Sequence, residues 1–324
     1  MTGTRELRAV RIRAPGRIGI EQYEPPQPAD HQVRVRLEGC GVCASNLPVW
    51  EGRPWFSYPF ECGAPGHEGW GTIDAIGSDV KGLAVGERVA FLSEHAYADS
   101  DLTTTEALVK LPPQLDGQPF PGEPLACAVN IFRRSEIQPG QRVAVVGIGF
   151  LGAIVTALAV RAGARVVALS RRPFALQLAE RFGASAALSL ADTQAAVKEA
   201  SHLSAGAGYE RVIECVGSQE ALDVASELTG TRARLVIAGY HQDGERRINL
   251  QQWNWRGLDV INAHERQAQE YLRGMREAVA LVVAGEIDLR ALLTHSFPLE
   301  EASAAFGLLA QRPEGFVKAF VSCQ

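Results

Sequence analysis

QRVAVVGIGFLGAIVTALAVRAGARVVALSRRP, residues 141–173, carries the reading that decides the fold. A short buried-strand pattern, Val143 to Val146, runs straight into Gly147-Ile148-Gly149-Phe150-Leu151-Gly152. An apolar run of helix length follows to Ala162, then a Gly-Ala turn and a second strand, Arg165 to Leu169. The pattern is one strand–turn–helix–strand crossover of about thirty residues with GxGxxG at its first turn. Gly147 makes the tight turn, Gly149 lets a pyrophosphate approach the backbone, and Gly152 packs helix on strand. The helix beginning at Phe150 and Leu151 points its unpaired N–H groups and positive dipole end at that pyrophosphate. The segment predicts dinucleotide binding.

Hydropathy alone offers a competing reading. Val143 to Val160 is eighteen residues with Thr156 as the one polar side chain, a run long enough to be scored as a membrane span. The spaced glycines, the flanking Arg142 and Arg161 and the immediate second strand predict a buried crossover instead. No second run of that kind exists, so no membrane association is expected.

A chain of 324 residues predicts two domains, and 46% hydrophobic with 21% charged residues is ordinary for a soluble globular protein. A formal net charge of −5 without a dense Lys/Arg cluster argues against a nucleic-acid partner. The opening MTGTRELRAVRIRAPG has charges throughout and no apolar core, so no secretory signal is expected and the cytoplasm is the expected compartment. The six cysteines (Cys40, Cys43, Cys62, Cys127, Cys215, Cys323) are scattered, unlike the disulfide framework of a small secreted domain. Cys215 and Cys323 read as buried thiols.

Residues 1 to about 125 read as β-rich and loop-rich. Val33-Arg34-Val35-Arg36-Leu37 alternates apolar and charged, a half-buried strand. Trp70–Ile76 and Glu87–Phe91 are further strands, and dense Pro and Gly predict few helices. Pro124–Glu136 reads as a helix with proline in its first turn. Strands and helices then alternate: a helix over Pro173–Phe182, a strand at Ala186–Leu190, a helix capped by Asp192, and strands at Arg211–Val216, Arg234–Ala238 and Leu258–Asn262. Six strands in this rhythm make a doubly wound parallel sheet. Glu265–Ala284 and Leu299–Leu309 look helical, and Phe316–Val321 looks like a closing strand.

Three clusters in the first part bear metal-ligand chemistry. In Gly39-Cys40-Gly41-Val42-Cys43-Ala44-Ser45-Asn46 the Cys-x-x-Cys has no second pair to complete a four-cysteine zinc site, and no thioredoxin-like unit surrounds it. Pro65-Gly66-His67-Glu68-Gly69 alone reads as a solvated turn. In Glu123-Pro124-Leu125-Ala126-Cys127 the helix sets Glu123 and Cys127 one turn apart, with Asn130 near the same face. Thiolate, imidazole and carboxylate are ligands that zinc prefers, and a catalytic zinc takes three from the protein.

The set GVCASN, PGHEGWG, VGERVA, EPLACAVN and VVGIGFLG, in this order, resembles the zinc-dependent medium-chain dehydrogenase/reductase family over nearly the whole chain. The resemblance implies an α/β protein: a GroES-like β-barrel catalytic domain (1–128 and 265–324) and a Rossmann dinucleotide-binding domain (129–264). It places Cys43 and His67 as the first two zinc ligands. Cys127 falls on the third-ligand position of the alcohol-dehydrogenase branch. Glu123 falls on the glutamate that the sorbitol-dehydrogenase branch keeps near its metal, and Glu68 on the glutamate that can exchange onto zinc. The inner ligand set stays open between them. Members usually carry four closely spaced cysteines around a structural zinc; here VAFLSEHAYADSD follows Arg88, so one zinc at most is expected. Asn46 stands where the family has an Asp that helps hold the zinc histidine, a weaker acceptor for the imidazole. Pro48 stands where many alcohol dehydrogenases have the histidine that ends a proton relay.

The function implied is a zinc-dependent dehydrogenase passing hydride between NADP(H) and a secondary alcohol or polyol and its ketone or aldehyde. Ser45 is expected to carry the proton, with Glu68 and Glu123 assisting. Where NAD enzymes keep an acid for the ribose, this chain has Ser170, Arg171 and Arg172, which predicts NADP over NAD. Val216 and Gly239, at the ends of later strands, join the expected cofactor site. Trp50, Trp55 and Phe56 wall the substrate side or pack the small domain; Trp253 and Trp255 serve edge packing or a subunit contact. A homodimer or homotetramer is expected. The competing readings are a zinc-free reductase of activated double bonds and a catalytically silent NADP-binding protein.

Overall fold

The computed structural model describes residues 7–323. Residues 1–6, part of the opening on which the signal reading rests, lie outside the described residues. Two compact units emerge. The first runs to Ala126 and takes in Gln267–Val283 and the chain from Leu292; the second holds Cys127–Arg266 and Ala284–Ala291.

In chain order the first unit begins with β1 (Leu7–Ala14), β2 (Arg17–Tyr23), β3 (Gln32–Gly41), α1 (Leu47–Glu51), β4 (Gly69–Ile76), β5 (Arg88–Phe91), β6 (Ser100–Thr104) and β7 (Leu108–Lys110). The boundary between units falls within α2 (Gly122–Ser135). The second unit follows as β8 (Arg142–Val146), α3 (Phe150–Arg161), β9 (Arg165–Ser170), α4 (Pro173–Arg181), β10 (Ala186–Ser189), α5 (Thr193–Leu203), β11 (Tyr209–Glu214), α6 (Gln219–Leu228), β12 (Thr229–Ile237), α7 (Leu250–Arg256) and β13 (Asp259–Asn262). The chain closes with α8 (Ala268–Val283), α9 (Leu289–Leu292), β14 (Leu293–Pro298), α10 (Ala302–Gln311) and β15 (Lys318–Ser322).

The period-two pattern of β3 does what it implies. Val33, Val35 and Leu37 are buried while Arg36 is exposed and Arg34 pairs with Asp74 on β4. β3 is the hub of a seven-stranded sheet in the order β14-β15-β3-β4-β5-β7, with β6 also paired to β3. Antiparallel pairing of β15 with β3 brings the end of the chain beside Gly39, Cys40 and Gly41.

The second unit is a six-stranded parallel sheet in the order β10-β9-β8-β11-β12-β13. Parallel strands are covered on both faces, which is why β8 reads as a continuous apolar run, Val143 through Val146 all fully buried. The eighteen-residue apolar stretch therefore divides into β8 and α3, and no described helix is long and apolar enough to cross a membrane. Asp192 caps α5 by accepting from Ala195 N, as its position implied.

The differences from the sequence reading lie at element ends, in polar strands and in two short helices, α1 and α9, that were not expected. The helix expected over Glu265–Ala284 starts at Ala268, and the segment at Leu299 opens as a 3-10 turn before α10. The hairpin β1–β2 and strands β6, β7 and β14 were not expected. β2 and β14 carry polar residues on both faces, so no clean alternation marks them.

Candidate active site

Two loops of the first unit bring the ligand chemistry together. β3 ends at Gly41, and Cys43 precedes the 3-10 turn Ala44–Asn46. His67 and Glu68 immediately precede β4, the antiparallel neighbour of β3. One ligand atom each from Cys43, His67 and Glu68 lie within 4.8 Å of one another. Ser45 Oγ donates to Cys43 Sγ at 3.1 Å.

The charges around His67 say what the group fits. Burial, the largest influence, disfavours the imidazolium, but Cys43, Glu123 and Glu68 outweigh it and raise the pKa to about 10. Three anionic or potentially anionic groups thus converge on one half-buried histidine. A soft sulfur, an imidazole and a carboxylate in a negative pocket fit zinc.

His67 is oriented differently from the expectation based on Asn46. Its Nδ1 faces the Pro65 carbonyl at 2.9 Å, and Asn46 Nδ2 donates to the same oxygen at 3.4 Å. Asn46 Oδ1 instead accepts from the buried Tyr97 hydroxyl at 2.8 Å. A carbonyl can only accept, so Pro65 sets the amide orientation and holds a proton on His67 Nδ1, which makes Nε2 the nitrogen that would give up its proton to a metal. A backbone carbonyl, braced by Asn46 and Tyr97, therefore stands where the resemblance implied a carboxylate.

Glu68 has a partner that no local motif announces. Its side chain is fully buried, and Lys318 of β15 donates Nζ to Oε1 at 2.8 Å. Oε2, 2.7 Å from the same ammonium, accepts no directed hydrogen bond. Burial works against the Lys318 ammonium, but Glu68, Cys43 and Glu123 overcome it and keep its pKa above the usual lysine value. A Cβ on Gly41 would stand 1.8 Å from Glu68 Oε2, so only glycine lets the carboxylate sit there. Breaking a buried pair leaves an uncompensated charge, so Lys318→Ala should cost about 3–5 kcal/mol. Urea unfolding checks this: Glu68→Gln combined with Lys318→Ala should recover much of the loss, whereas equal loss in single and double variants would contradict the pairing.

Glu123 lies half-buried in the first turn of α2, and Cys127 follows one turn later as the first residue of the second unit. Pro48 is buried in the first turn of α1, where it cannot titrate. Where the structural-zinc lobe would stand, Ser93 Oγ donates to Asp101 and accepts from His95 N. Trp50 packs on Phe306 and Trp253 is core, while Trp55 and Trp255 are exposed.

In the second unit the expected cofactor residues gather at the carboxyl ends of four adjacent strands. Gly147 follows β8 at φ 96°, and a Cβ there would lie 2.3 Å from Val216 Cγ2. Gly152 is closed by the Gly147 carbonyl at 1.9 Å, while nothing lies within 4 Å of a Cβ on Gly149. The tight turn, the packed helix and the open position thus fall on the three glycines as their spacing implied. The strand order reverses between β8 and β11, the place where doubly wound sheets bind ligands. Ser170 ends β9 and its Oγ accepts from Arg172 N at 3.2 Å. The arginines are engaged: Arg172 donates to the Ile148 carbonyl in the glycine turn, and Arg171 meets Glu220 at 3.0 Å. Val216 and Gly239 follow the ends of β11 and β12.

The alcohol dehydrogenase GroES-like domain model matches residues 29–198, more than half of the chain, and the zinc-binding dehydrogenase model matches 151–283. The chain belongs to the zinc-type medium-chain dehydrogenase/reductase family. Among its relatives, 2-dehydro-3-deoxy-L-galactonate 5-dehydrogenase of Pseudoalteromonas atlantica is 26% identical, covering 91% of this chain and 93% of that one. Human sorbitol dehydrogenase is 25% identical over 91% and 90%. A zinc-binding dehydrogenase of Sinorhizobium meliloti, solved bound to NADP, superposes with a TM-score of 0.84 at 25% identity, covering 98% and 99%. An Escherichia coli oxidoreductase of unknown specificity shares the fold at a TM-score of 0.88 and 20% identity over 98% and 99%. Within this family frame the sequence reading missed Lys318, Tyr97 and Glu214. The faint signal for Lys318 and Glu214 was a charged residue inside an apolar strand, as in FVKAF and RVIECVG, whereas Tyr97 lies in the loop between β5 and β6 and carried none.

Proposed function

We propose that this oxidoreductase is an NADP-preferring, zinc-dependent alcohol or polyol dehydrogenase, acting on a small-molecule secondary alcohol or its carbonyl counterpart. The observation that supports it most is the convergence of Cys43, His67 and Glu68 beside the Ser45 hydroxyl. Cys43 and His67 hold one zinc, and the third protein ligand is drawn from Glu68, Glu123 and Cys127. When bound, the metal supplies Lewis acidity that lowers the pKa of the substrate hydroxyl. The Pro65 carbonyl keeps a proton on His67 Nδ1 and so makes Nε2 the nitrogen that would give up its proton to the metal. Ser45 takes the substrate proton and passes it toward the cofactor ribose, water or a carboxylate such as Glu68 or Glu123, Pro48 being unable to accept it. Lys318 holds Glu68 as an ion pair, so that carboxylate would serve as a metal ligand only at the cost of its contact with the ammonium. In the second unit the glycine turn and the N-terminus of α3 seat the pyrophosphate. Purified protein tests the reading by its metal content and by reduction of NADP on a panel of alcohols and polyols. One zinc and turnover are expected; metal-free protein that is silent on alcohols but oxidises NADPH with an activated double bond would support the reductase reading instead.

The cofactor preference rests on Arg171. Its bridge to Glu220 joins two exposed side chains, 62% and 70% accessible, and such bridges are worth little. A ribose 2′-phosphate can therefore draw the guanidinium away. A hydrogen bond to a charged group contributes about 1.5–3 kcal/mol, so Arg171→Ala should weaken NADP about ten- to a hundredfold and leave NAD nearly unchanged. Arg172→Ala should weaken both dinucleotides, since that side chain props the glycine turn. Kinetic efficiencies with the two cofactors decide the matter; equal efficiency in the wild type would refute the preference.

A further inference from the structure

The carboxylate of Glu214, fully buried at the last position of β11, belongs to none of the chemistry above. Burying a charge is costly unless it is hydrogen-bonded, and this one is saturated. Oε1 accepts from both Val216 N and Gly217 N at 2.7 Å, and Oε2 from His241 Nε2 at 3.0 Å. The Glu214 carbonyl accepts from Ala238 N and Gly239 N, both at 2.8 Å. One residue thus ties the turn after β11 to the turn after β12.

The second turn is locked from its other side. Arg246 Nε donates to His241 Nδ1 at 2.8 Å, and its Nη2 donates to the Gly217 carbonyl at 2.8 Å and to Asp243. A guanidinium can only donate, so His241 Nδ1 accepts and Nε2 carries the proton that faces Glu214. The donors run in one direction, Arg246 to His241 to Glu214, an arrangement in which each bond strengthens the next. Gly239 is required by the closeness of the two turns: a Cβ there would lie 2.1 Å from Gly217 N and 2.6 Å from Glu214 Oε2.

These turns sit at the carboxyl edge of the sheet beside the glycine turn. Val216, held by the Glu214 carboxylate, lies directly against Gly147. We infer that Glu214 and His241 are positioning residues for the dinucleotide: they fix the Val216–Gly217 and Gly239–Tyr240 backbones against the glycine turn without touching the cofactor. The inference rests on the dinucleotide-binding reading and adds the device that shapes the site.

Glu214→Gln tests it. The amide oxygen can keep the two backbone N–H groups, but its NH2 then meets the His241 Nε2–H, donor against donor. Losing a hydrogen bond to a charged group by this route should raise the NADPH dissociation constant about tenfold or more. KM for the dinucleotide should rise while kcat at saturation and metal content hold, a split that mere loss of folded protein would not give. His241→Ala, which leaves both backbone bonds of Glu214 intact, should give a smaller rise in the same direction and covers the case in which Glu214→Gln does not fold. Wild-type affinity in both variants, or in His241→Ala should Glu214→Gln not fold, would overturn the inference alone. A wild-type protein that binds no dinucleotide would overturn it together with the reading beneath it.

Discussion

Replacing Cys43 with alanine is expected to abolish metal binding and turnover together while dinucleotide affinity stays close to that of the wild type. Cys43 supplies the one sulfur in the group with His67 and Glu68. Changing a residue that only supports a ligand costs about 10–100-fold in metal affinity or activity, and losing a ligand itself should exceed that. The glycine turn belongs to the other unit, Cys127–Arg266, so nothing in the substitution disturbs it. Metal analysis of the purified variant and NADPH titration by fluorescence separate the two effects. Full activity in Cys43→Ala would remove the metal from the mechanism.

The second large effect is expected at Ser45. Its hydroxyl donates to Cys43 Sγ at 3.1 Å, which places it against the proposed metal ligands. Positioned proton transfer contributes about 10²–10⁴-fold, so Ser45→Ala should lose turnover in that range and retain zinc. The proposed relay should end differently from that of alcohol dehydrogenases with a histidine at this place, because Pro48, in the first turn of α1, has no group that can take a proton. Ser45→Thr, which restores the hydroxyl, should recover part of the rate. A Ser45→Ala enzyme with wild-type turnover across the pH profile would make the hydroxyl a structural group.

How much of this was legible in the sequence follows from the range of each interaction. The crossover at 141–173 is local: strand, turn and helix succeed one another within a single segment, and the three glycines landed in the three environments their spacing implied. The loops holding Cys43 and His67 were legible only through the family resemblance of the whole motif set, since the His67–Glu68 turn taken alone reads as solvated while Glu68 is in fact fully buried. Lys318 was not, because it lies 250 residues from Glu68 and meets it only through the pairing of β15 with β3. Asn46 was legible as a departure, yet its role was not. Whether its amide faces the imidazole or a carbonyl depends on where the loop holding Pro65 passes, and on the Tyr97 hydroxyl 51 residues away. Burial keeps the proton on that phenol, raising its pKa well above the usual value, so it stays a donor. Glu214 looked like one polar residue in an apolar strand. Its purpose depends on a turn that arrives after β12, beyond the reach of any local pattern.

The most direct test of the central claim is zinc content per subunit, measured on protein purified without added metal and compared before and after chelation with NADP reduction on secondary alcohols and polyols. One zinc per subunit is the result expected, with activity lost on chelation and restored by zinc. Undiminished activity in metal-free protein, or two zinc ions per subunit, would contradict it.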